Sequence, residues 1–270
     1  MITISDQEFR LLKEYIYNYC GINLSKKKTL VQARLYRILM EMEFQDFSSY
    51  YNYLFNDKSG EAVRNIIDRL STNHTFFMRE IQHFIYFRDQ VLPQLKATVK
   101  NRDLRIWSAG CSSGEEPYTL AMIMADYFGK EKVLWDSRIL ATDISSRALH
   151  KAREGVYSDE EISSIPAPWK RNYFKSLGPD RKMVINKVKK EVIYRKFNLI
   201  EKAFPFKKKF HVIFCRNVMI YFDNTTKQEL IDRFYECTEK GGYLFIGQAE
   251  SLNREETQYK YVMPAVYRKE

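Results

Sequence analysis

The run from Ile106 to Tyr118, IWSAGCSSGEEPY, constrains the fold more than any other segment: a hydrophobic strand breaks into a small-residue turn, then two carboxylates open an apolar helix. Gly110, Ser112, Ser113 and Gly114 let backbone approach a ligand closely, and a helix beginning near Glu115 continues through Leu120, Ile123 and Met124. In parallel α/β sheets ligands sit at the carboxyl ends of strands, which makes this turn a place to hold a nucleoside. A phosphate cradle would present bare amides and often a lysine, whereas Glu115 and Glu116 repel phosphate and suit a cationic or hydroxyl-rich ligand. S-adenosylmethionine, with its sulfonium, ammonium and ribose diol, has that chemistry. Taken alone, the segment leaves an ordinary loop open as the alternative.

Around this turn the chain divides into two compositional regions. From Ser5 to about Leu70 the periodicity is helical. Phe9, Leu12, Ile16 and Tyr19 recur at three- and four-residue steps between a capping box, Ser5 to Glu8, and a stop at Gly21. A second helix puts Val31, Leu35, Ile38 and Met42 on one stripe with Lys26, Arg34 and Arg37 on a flank; shorter helices follow around Phe47 to Phe55 and Glu61 to Leu70. From about Asn101 strands alternate with helices. Leu104 to Ala109, Arg138 to Thr142, Phe210 to Cys215 and Tyr243 to Gly247 read as strands, Thr119 to Tyr127 and Lys227 to Cys237 as helices. That alternation predicts a parallel sheet with helices on both faces. Two β-branched runs, Lys182 to Val188 and Glu191 to Phe197, break the rhythm and predict a hairpin turning at Lys189 and Lys190.

The formal net charge of +10 over 270 residues is concentrated. Between Trp169 and Phe210 there are 14 Lys or Arg against 3 Asp or Glu, leaving the remainder of the chain almost balanced. Such a segment is either a solvated surface insertion or a landing site for an acidic partner, and nucleic acid is the first guess from charge alone. The four cysteines, Cys20, Cys111, Cys215 and Cys237, lack metal-ligand spacing, so reduced thiols and no metal are expected. The opening MITISDQEFR has no basic leader with an apolar core, and a cytoplasmic protein is expected.

Three further segments sharpen this picture: STNHTFFMRE at Ser71 to Glu80, ATDI at Ala141 to Ile144 and CRNVMIYFD at Cys215 to Asp223. In this order and spacing, with SSGEEPYTLA, they resemble the chemotaxis receptor methyltransferases of the CheR type over essentially the whole chain. The resemblance implies a Rossmann-like class I S-adenosylmethionine-dependent methyltransferase domain of α/β class. A small antiparallel β-subdomain would be inserted in it and a small all-α domain would precede it. The boundaries expected are 1–72 for the helical domain, 73–100 for a linker segment and helix, and 101–270 for the methyltransferase domain, with the insertion at about 155–197. The activity implied is methylation of glutamate side chains on the cytoplasmic helices of chemoreceptors, with S-adenosyl-L-homocysteine as product. A receptor C-terminal peptide docking on the β-subdomain, a monomeric state and recruitment to membrane-bound receptors are further implications.

Asp143, at a strand end, is placed to accept both ribose hydroxyls; the alternative is a cap for the helix that starts near Ser145. By resemblance, Asn73, Thr75, Arg79, Glu116, Asn198, Leu199, Arg216 and Asn217 contact the cofactor, Asn198 and Leu199 on the adenine side. Arg79 would in addition orient the incoming carboxylate through its planar fork, or pair with another carboxylate instead. Tyr221 would border the methyl-transfer site, making Arg79 and Tyr221 the catalytic candidates. His74 and His83 tempt as acid or base, but a glutamate acceptor is already ionised and requires neither. Two other functions compete. A nucleic-acid methyltransferase would share the sheet and the basic surface, although CRNV stands where base-amino methylation uses a proline-centred tetrad. A non-catalytic, cofactor-responsive adaptor would retain the fold alone.

Overall fold

A computed structural model describes residues 2–70 and 74–270. The chain falls into two compact units, residues 1–72 with 221–226, and residues 73–220 with 227–270.

The first unit is helical: α1 (Asp6–Cys20), α2 (Lys28–Glu41), α3 (Phe47–Asn56) and α4 (Glu61–Leu70). The capping box is present, with Ser5 Oγ accepting from Glu8 N and the Glu8 carboxylate accepting from Ser5 N, and α1 stops at Gly21 in the left-handed region at φ 72°. The buried stripe of α1 is Leu12, Ile16 and Cys20; Tyr19, expected on it, is exposed because the helix turns it one position off the apolar face. Met42 likewise lies past the end of α2 and is exposed, and Leu39 takes its place in the core. Residues 221–226 close this unit, Tyr17 Oη donating to Asp223 Oδ2 at 2.7 Å.

In the second unit α5 (Ile81–Tyr86) passes through a π-turn at Phe87–Val91 into α6 (Leu92–Thr98). Then come β1 (Ile106–Ala109), α7 (Glu115–Phe128), β2 (Ile139–Asp143), α8 (Ser146–Glu154), β3 (Val156–Ser158), α9 (Ala167–Tyr173), β4 (Phe174–Ser176) and β5 (Arg181–Val184). The chain finishes with α10 (Asn186–Lys189), β6 (Val192–Lys196), β7 (Phe210–Cys215), α11 (Asn224–Cys237), β8 (Thr238–Ile246), β9 (Lys260–Met263) and β10 (Val266–Arg268). A seven-stranded sheet has the order β6-β2-β1-β7-β8-β10-β9, parallel from β6 to β8 and antiparallel at β10 and β9. Strand direction of travel reverses at β1, with β2 on one side and β7 on the other, which makes the carboxyl end of β1 the switch point where ligands bind.

Alternation along the strands sends side chains to two covered faces. Phe214 of β7 stacks on Phe245 of β8 with ring centres 4.4 Å apart, and Phe84 and Phe87 of the α5 region pack over them. On the opposite face Trp107 of β1 gathers Phe197, Phe204, Phe206, Phe210 and Phe234, its Nε1 donating to Thr142 Oγ1 at 2.9 Å.

The predicted hairpin does not form. β5 lies between β3 and β4 in a separate antiparallel sheet, whereas β6 joins the large sheet parallel to β2, with Ile139 opposite Val192. Residues 186–189 between them coil into one helical turn that buries Val188, so the chain changes sheets instead of doubling back. Two β-branched runs reveal two strands but not their partners. The small antiparallel sheet is therefore built from residues 156–184, and Val192–Lys196 belongs to the methyltransferase sheet.

Candidate active site

The turns after β1, β2, β6, β7 and β8 all emerge at the carboxyl end of the parallel strands; Glu116, Asp143, Asn198, Leu199, Arg216 and Asn217 lie at or just after the ends of β1, β2, β6 and β7, whereas Thr75 and Arg79 precede α5. Behind the first turn, Gly110 N and Cys111 N donate to Thr142 O at 2.8 and 2.9 Å, and Tyr157 Oη donates to Ser113 O at 2.7 Å. Gly110 has φ +84° and a Cβ there would lie 2.4 Å from Val218 Cγ2; Gly114, at φ +99°, would bring one to 2.9 Å from Ala152 Cβ and Tyr194 Oη. Both positions demand glycine.

Asp143 is buried at the end of β2. Its Oδ2 accepts from Ser112 N and its Oδ1 from Ser145 N, each at 2.8 Å. It thus ties the first turn to the second. The N-cap of α8 is Ser145, whose side chain accepts from Ala148 N, and Asp143 supports that helix start by accepting the Ser145 N–H.

The glutamate pair divides. Glu115 is buried, receives Ser113 Oγ at 2.9 and 2.8 Å, and burial raises its carboxyl above the ordinary value despite that hydrogen bonding. Glu116 accepts Ser108 Oγ at 2.7 Å on Oε1 and Arg216 Nη1 at 2.9 Å on Oε2.

Arg216 is buried, with its side chain 3% exposed, and its guanidinium lies 4.9 Å above the Phe84 ring. All three nitrogens have protein acceptors: Nη1 holds Glu116, Nε and Nη2 hold Glu80 Oε2 at 3.3 and 3.1 Å, and Nη2 also donates to the Arg79 carbonyl. It is a strut linking β7, α7 and the segment before α5. Asn217, at φ 58°, donates from Nδ2 to Glu80 Oε1 at 3.2 Å and from its backbone to Glu250 Oε2 at 3.0 Å.

Arg79 sits between two left-handed residues, Met78 at φ 63° and Glu80 at φ 54°, and its half-buried guanidinium donates to His74 O at 2.9 Å. Phe77, buried against Tyr157 and Phe174, pins this segment to the small sheet. Asn198 and Leu199 follow β6, the latter buried, and Thr75 is half-buried. Asn73 lies outside the described residues. Tyr221 groups with the first unit, where its carbonyl accepts from Asn23 N at 2.8 Å and Lys27 lies 4.9 Å over its ring.

Two carboxylates not singled out from sequence organise this site. Glu80 receives Arg216, Asn217 and Gln248 N; burial pushes its carboxyl up, but the Arg216 charge and these hydrogen bonds together hold it below the ordinary value. Glu250 accepts from Gly247 N at 2.6 Å, Asn217 N at 3.0 Å and Ile220 N at 3.1 Å, stapling the turn after β7. In sequence Glu80 is marked by ending the STNHTFFMRE run, and Glu250 by nothing local. His83 is buried and 3.4 Å from Glu80, its imidazole pushed down to about 4 by burial and then by Arg216, so it is neutral.

The donor set is acidic where a ligand would lie: Glu116 and Asp143 around a glycine turn, which fits a cofactor carrying an ammonium and a ribose diol. Among the described residues no cluster of three or more His, Cys, Asp or Glu could hold a metal ion.

Residues 73–267 match the family model described as CheR methyltransferase, SAM binding domain, and residues 7–71 the one described as CheR methyltransferase, all-alpha domain. The chain is similar to a chemotaxis protein methyltransferase of Borreliella burgdorferi, 43% identical over 272 residues that cover 99% of this chain and 96% of the relative. It is also similar to the chemotaxis protein methyltransferase of Escherichia coli, at 35% identity over 98% of this chain and 92% of the relative. Chemotaxis protein methyltransferase 2 of Vibrio cholerae is 33% identical over 94% of this chain and 88% of its own. A glycine turn flanked by carboxylates at the switch point of a parallel sheet, matched over both units, leads to one conclusion: the chain belongs to the CheR methyltransferase family and uses S-adenosylmethionine as its cofactor.

Proposed function

We propose that the chain methylates glutamate side chains of chemoreceptors, producing glutamyl methyl esters and S-adenosyl-L-homocysteine. The observation that carries this reading is the acidic pair Glu116 and Asp143 at the carboxyl end of β1 and β2, in a chain that matches chemotaxis methyltransferases over nearly its whole length. S-adenosylmethionine supplies an electrophilic methyl group on a sulfonium. Asp143 would hold the ribose hydroxyls, Glu116 would face the positive charge of the sulfonium, and Asn198, Leu199 and Asn217 would hold the remaining surface, with Asn73 and Thr75 contributing from the interdomain segment.

A glutamate acceptor is ionised near neutral pH, so its oxygen attacks without a general base. His83, neutral and buried, stands outside any such proton route. The work left to the protein is alignment and exclusion of water. Carboxylate and sulfonium neutralise one another as the methyl moves, so a tight clamp on the acceptor would stabilise the ground state more than the transition state. Arg79 suits this limited task, its carbonyl fixed by Arg216 and its guanidinium donating to the His74 carbonyl and lying 6.0 Å from the centre of the Phe76 ring. Arg79→Ala is expected to lower turnover about fivefold, the worth of a half-exposed charge contact, and to lower cofactor affinity by less than that. Arg79→Lys should rescue only partly, because Lys lacks the planar fork. Normal turnover of the Ala variant at saturating receptor, followed with labelled cofactor, would remove this role. Tyr221 is proposed to border the acceptor.

The basic segment is proposed to meet acidic receptor surface. Lys187 of α10 and Lys190 just after it are exposed, whereas Lys189 donates to Glu154 O at 2.8 Å and is best left in place. Lys187→Gln with Lys190→Gln should raise the receptor KM and flatten its dependence on ionic strength, leaving cofactor affinity alone. A KM unchanged across ionic strengths would mark the lysines as solvation only. The function as a whole is tested by offering methyl-labelled cofactor with receptor fragments, RNA and DNA in parallel. Label is expected in receptor protein. Label in nucleic acid would overturn the assignment, and cofactor binding without transfer to any of them would favour the adaptor.

A further inference from the structure

A buried guanidinium beside the cofactor turn creates a problem for binding a cation there. Arg216, at 3% side-chain exposure, contacts Glu116 directly, and its charge by itself would neutralise Glu116 and oppose an approaching sulfonium. Glu80 lies on the other side of the same guanidinium, with its side chain 12% exposed and its Oε2 accepting Arg216 Nε and Nη2 at 3.3 and 3.1 Å. Among the described residues, the other groups facing Glu80 are uncharged: Asn217 Nδ2, Gln248 N and the neutral ring of His83. With Glu80 ionised, the trio of Glu80, Arg216 and Glu116 carries one net negative charge. Without it, the trio is neutral.

Glu80 is held at this place at a cost. Its backbone is left-handed at φ 54° without being glycine, a conformation worth retaining only if the surrounding contacts fix it.

We infer that Glu80 is a specificity-determining residue that acts through Arg216: it cancels the buried guanidinium so that Glu116 presents a full negative charge to a cationic cofactor. The inference rests on the assignment of S-adenosylmethionine as cofactor and deepens it. Its signature is selective. S-adenosylmethionine carries a sulfonium and S-adenosylhomocysteine a neutral thioether, and the two are otherwise alike in amine, carboxylate and nucleoside. Loss of the Glu80 charge should therefore weaken the first more than the second, whereas loss of packing would weaken both alike.

The experiment is titration calorimetry of the full chain with each of the two ligands, for wild type and Glu80→Gln, with thermal unfolding as the check of fold. The preference for S-adenosylmethionine over S-adenosylhomocysteine is expected to fall on the order of tenfold in Glu80→Gln, the scale of one unit charge removed from a partly buried site. The double variant Glu80→Gln with Arg216→Gln removes both charges of the pair, leaves Glu116 carrying the same single net negative charge as the wild-type trio, and should restore the wild-type preference. Equal weakening of both ligands in Glu80→Gln would overturn the inference, as would a double variant whose preference stays low. Failure of both variants to fold would assign the pair to stability and overturn it as well. Wild type that binds neither ligand would instead overturn the cofactor assignment, a separately readable result.

Discussion

Replacing Arg216 with methionine is expected to destabilise the protein by about 3–5 kcal/mol at neutral pH, the usual consequence of removing one member of a buried charge group. The substitution fills similar volume and keeps contact with Phe84, so the loss is electrostatic. It leaves Glu80 and Glu116, 12% and 13% exposed at the side chain, without their shared cation, and frees the Arg79 carbonyl. The pH dependence follows from the sign of the shift. In the wild type the Glu80 carboxyl is held below its ordinary value of 4.5, so its contribution is present above that pH and lost as pH falls through the lower folded value. In the variant the stranded carboxyl prefers to be neutral, its folded value rises, and stability is lost as pH rises. The gap between the two proteins should accordingly narrow toward pH 4, read as converging urea midpoints with unchanged slopes. A variant equally stable at pH 7 would show that the strut is decorative.

Asp143→Ala is expected to cost more than tenfold in cofactor affinity, from the loss of charge-assisted hydrogen bonds worth about 1.5–3 kcal/mol. Asp143 also receives Ser112 N and Ser145 N, so its removal loosens the turn that carries the glycines. Asp143→Asn, which keeps one acceptor oxygen and the shape, should fall between the two. Calorimetry that finds wild-type affinity in a folded Asp143→Ala would take this residue out of the site.

Features that repeat locally were legible from residues alone. The Ser5–Glu8 box and Gly21 bracket α1 because both act within one helical turn of their own position. The strand at Phe210–Cys215 was legible in full because its hydrophobic run is bounded on both sides. The placement of Val192–Lys196 was not, since strand partners are chosen by long-range packing, here the parallel ladder with β2, and not by the strand's own sequence. Among the site residues, Asp143 was marked by lying at a strand end and the Glu115–Glu116 pair by following the turn, while the choice of Glu116 within the pair came from the resemblance. Glu80 and Glu250 did not. Their roles exist only because folding brings residue 80 beside 216 and residue 250 beside 217, separations that no local pattern encodes. Arg216, marked for the cofactor by the resemblance, has protein partners that sequence did not reveal: its three nitrogens face Glu80, Glu116 and the Arg79 carbonyl.

The measurement that bears most directly on the central claim is the linkage of the transferred methyl. After reaction with labelled S-adenosylmethionine, receptor fragments would be recovered, half treated with mild alkali, and the peptides mapped by mass spectrometry. The account predicts methyl groups on glutamate side chains that alkali releases as methanol, with less transferred by Asp143→Ala at cofactor levels that just saturate the wild type. Alkali-stable methylation of lysine, arginine or a terminus, or label carried by RNA or DNA in place of receptor protein, would contradict it.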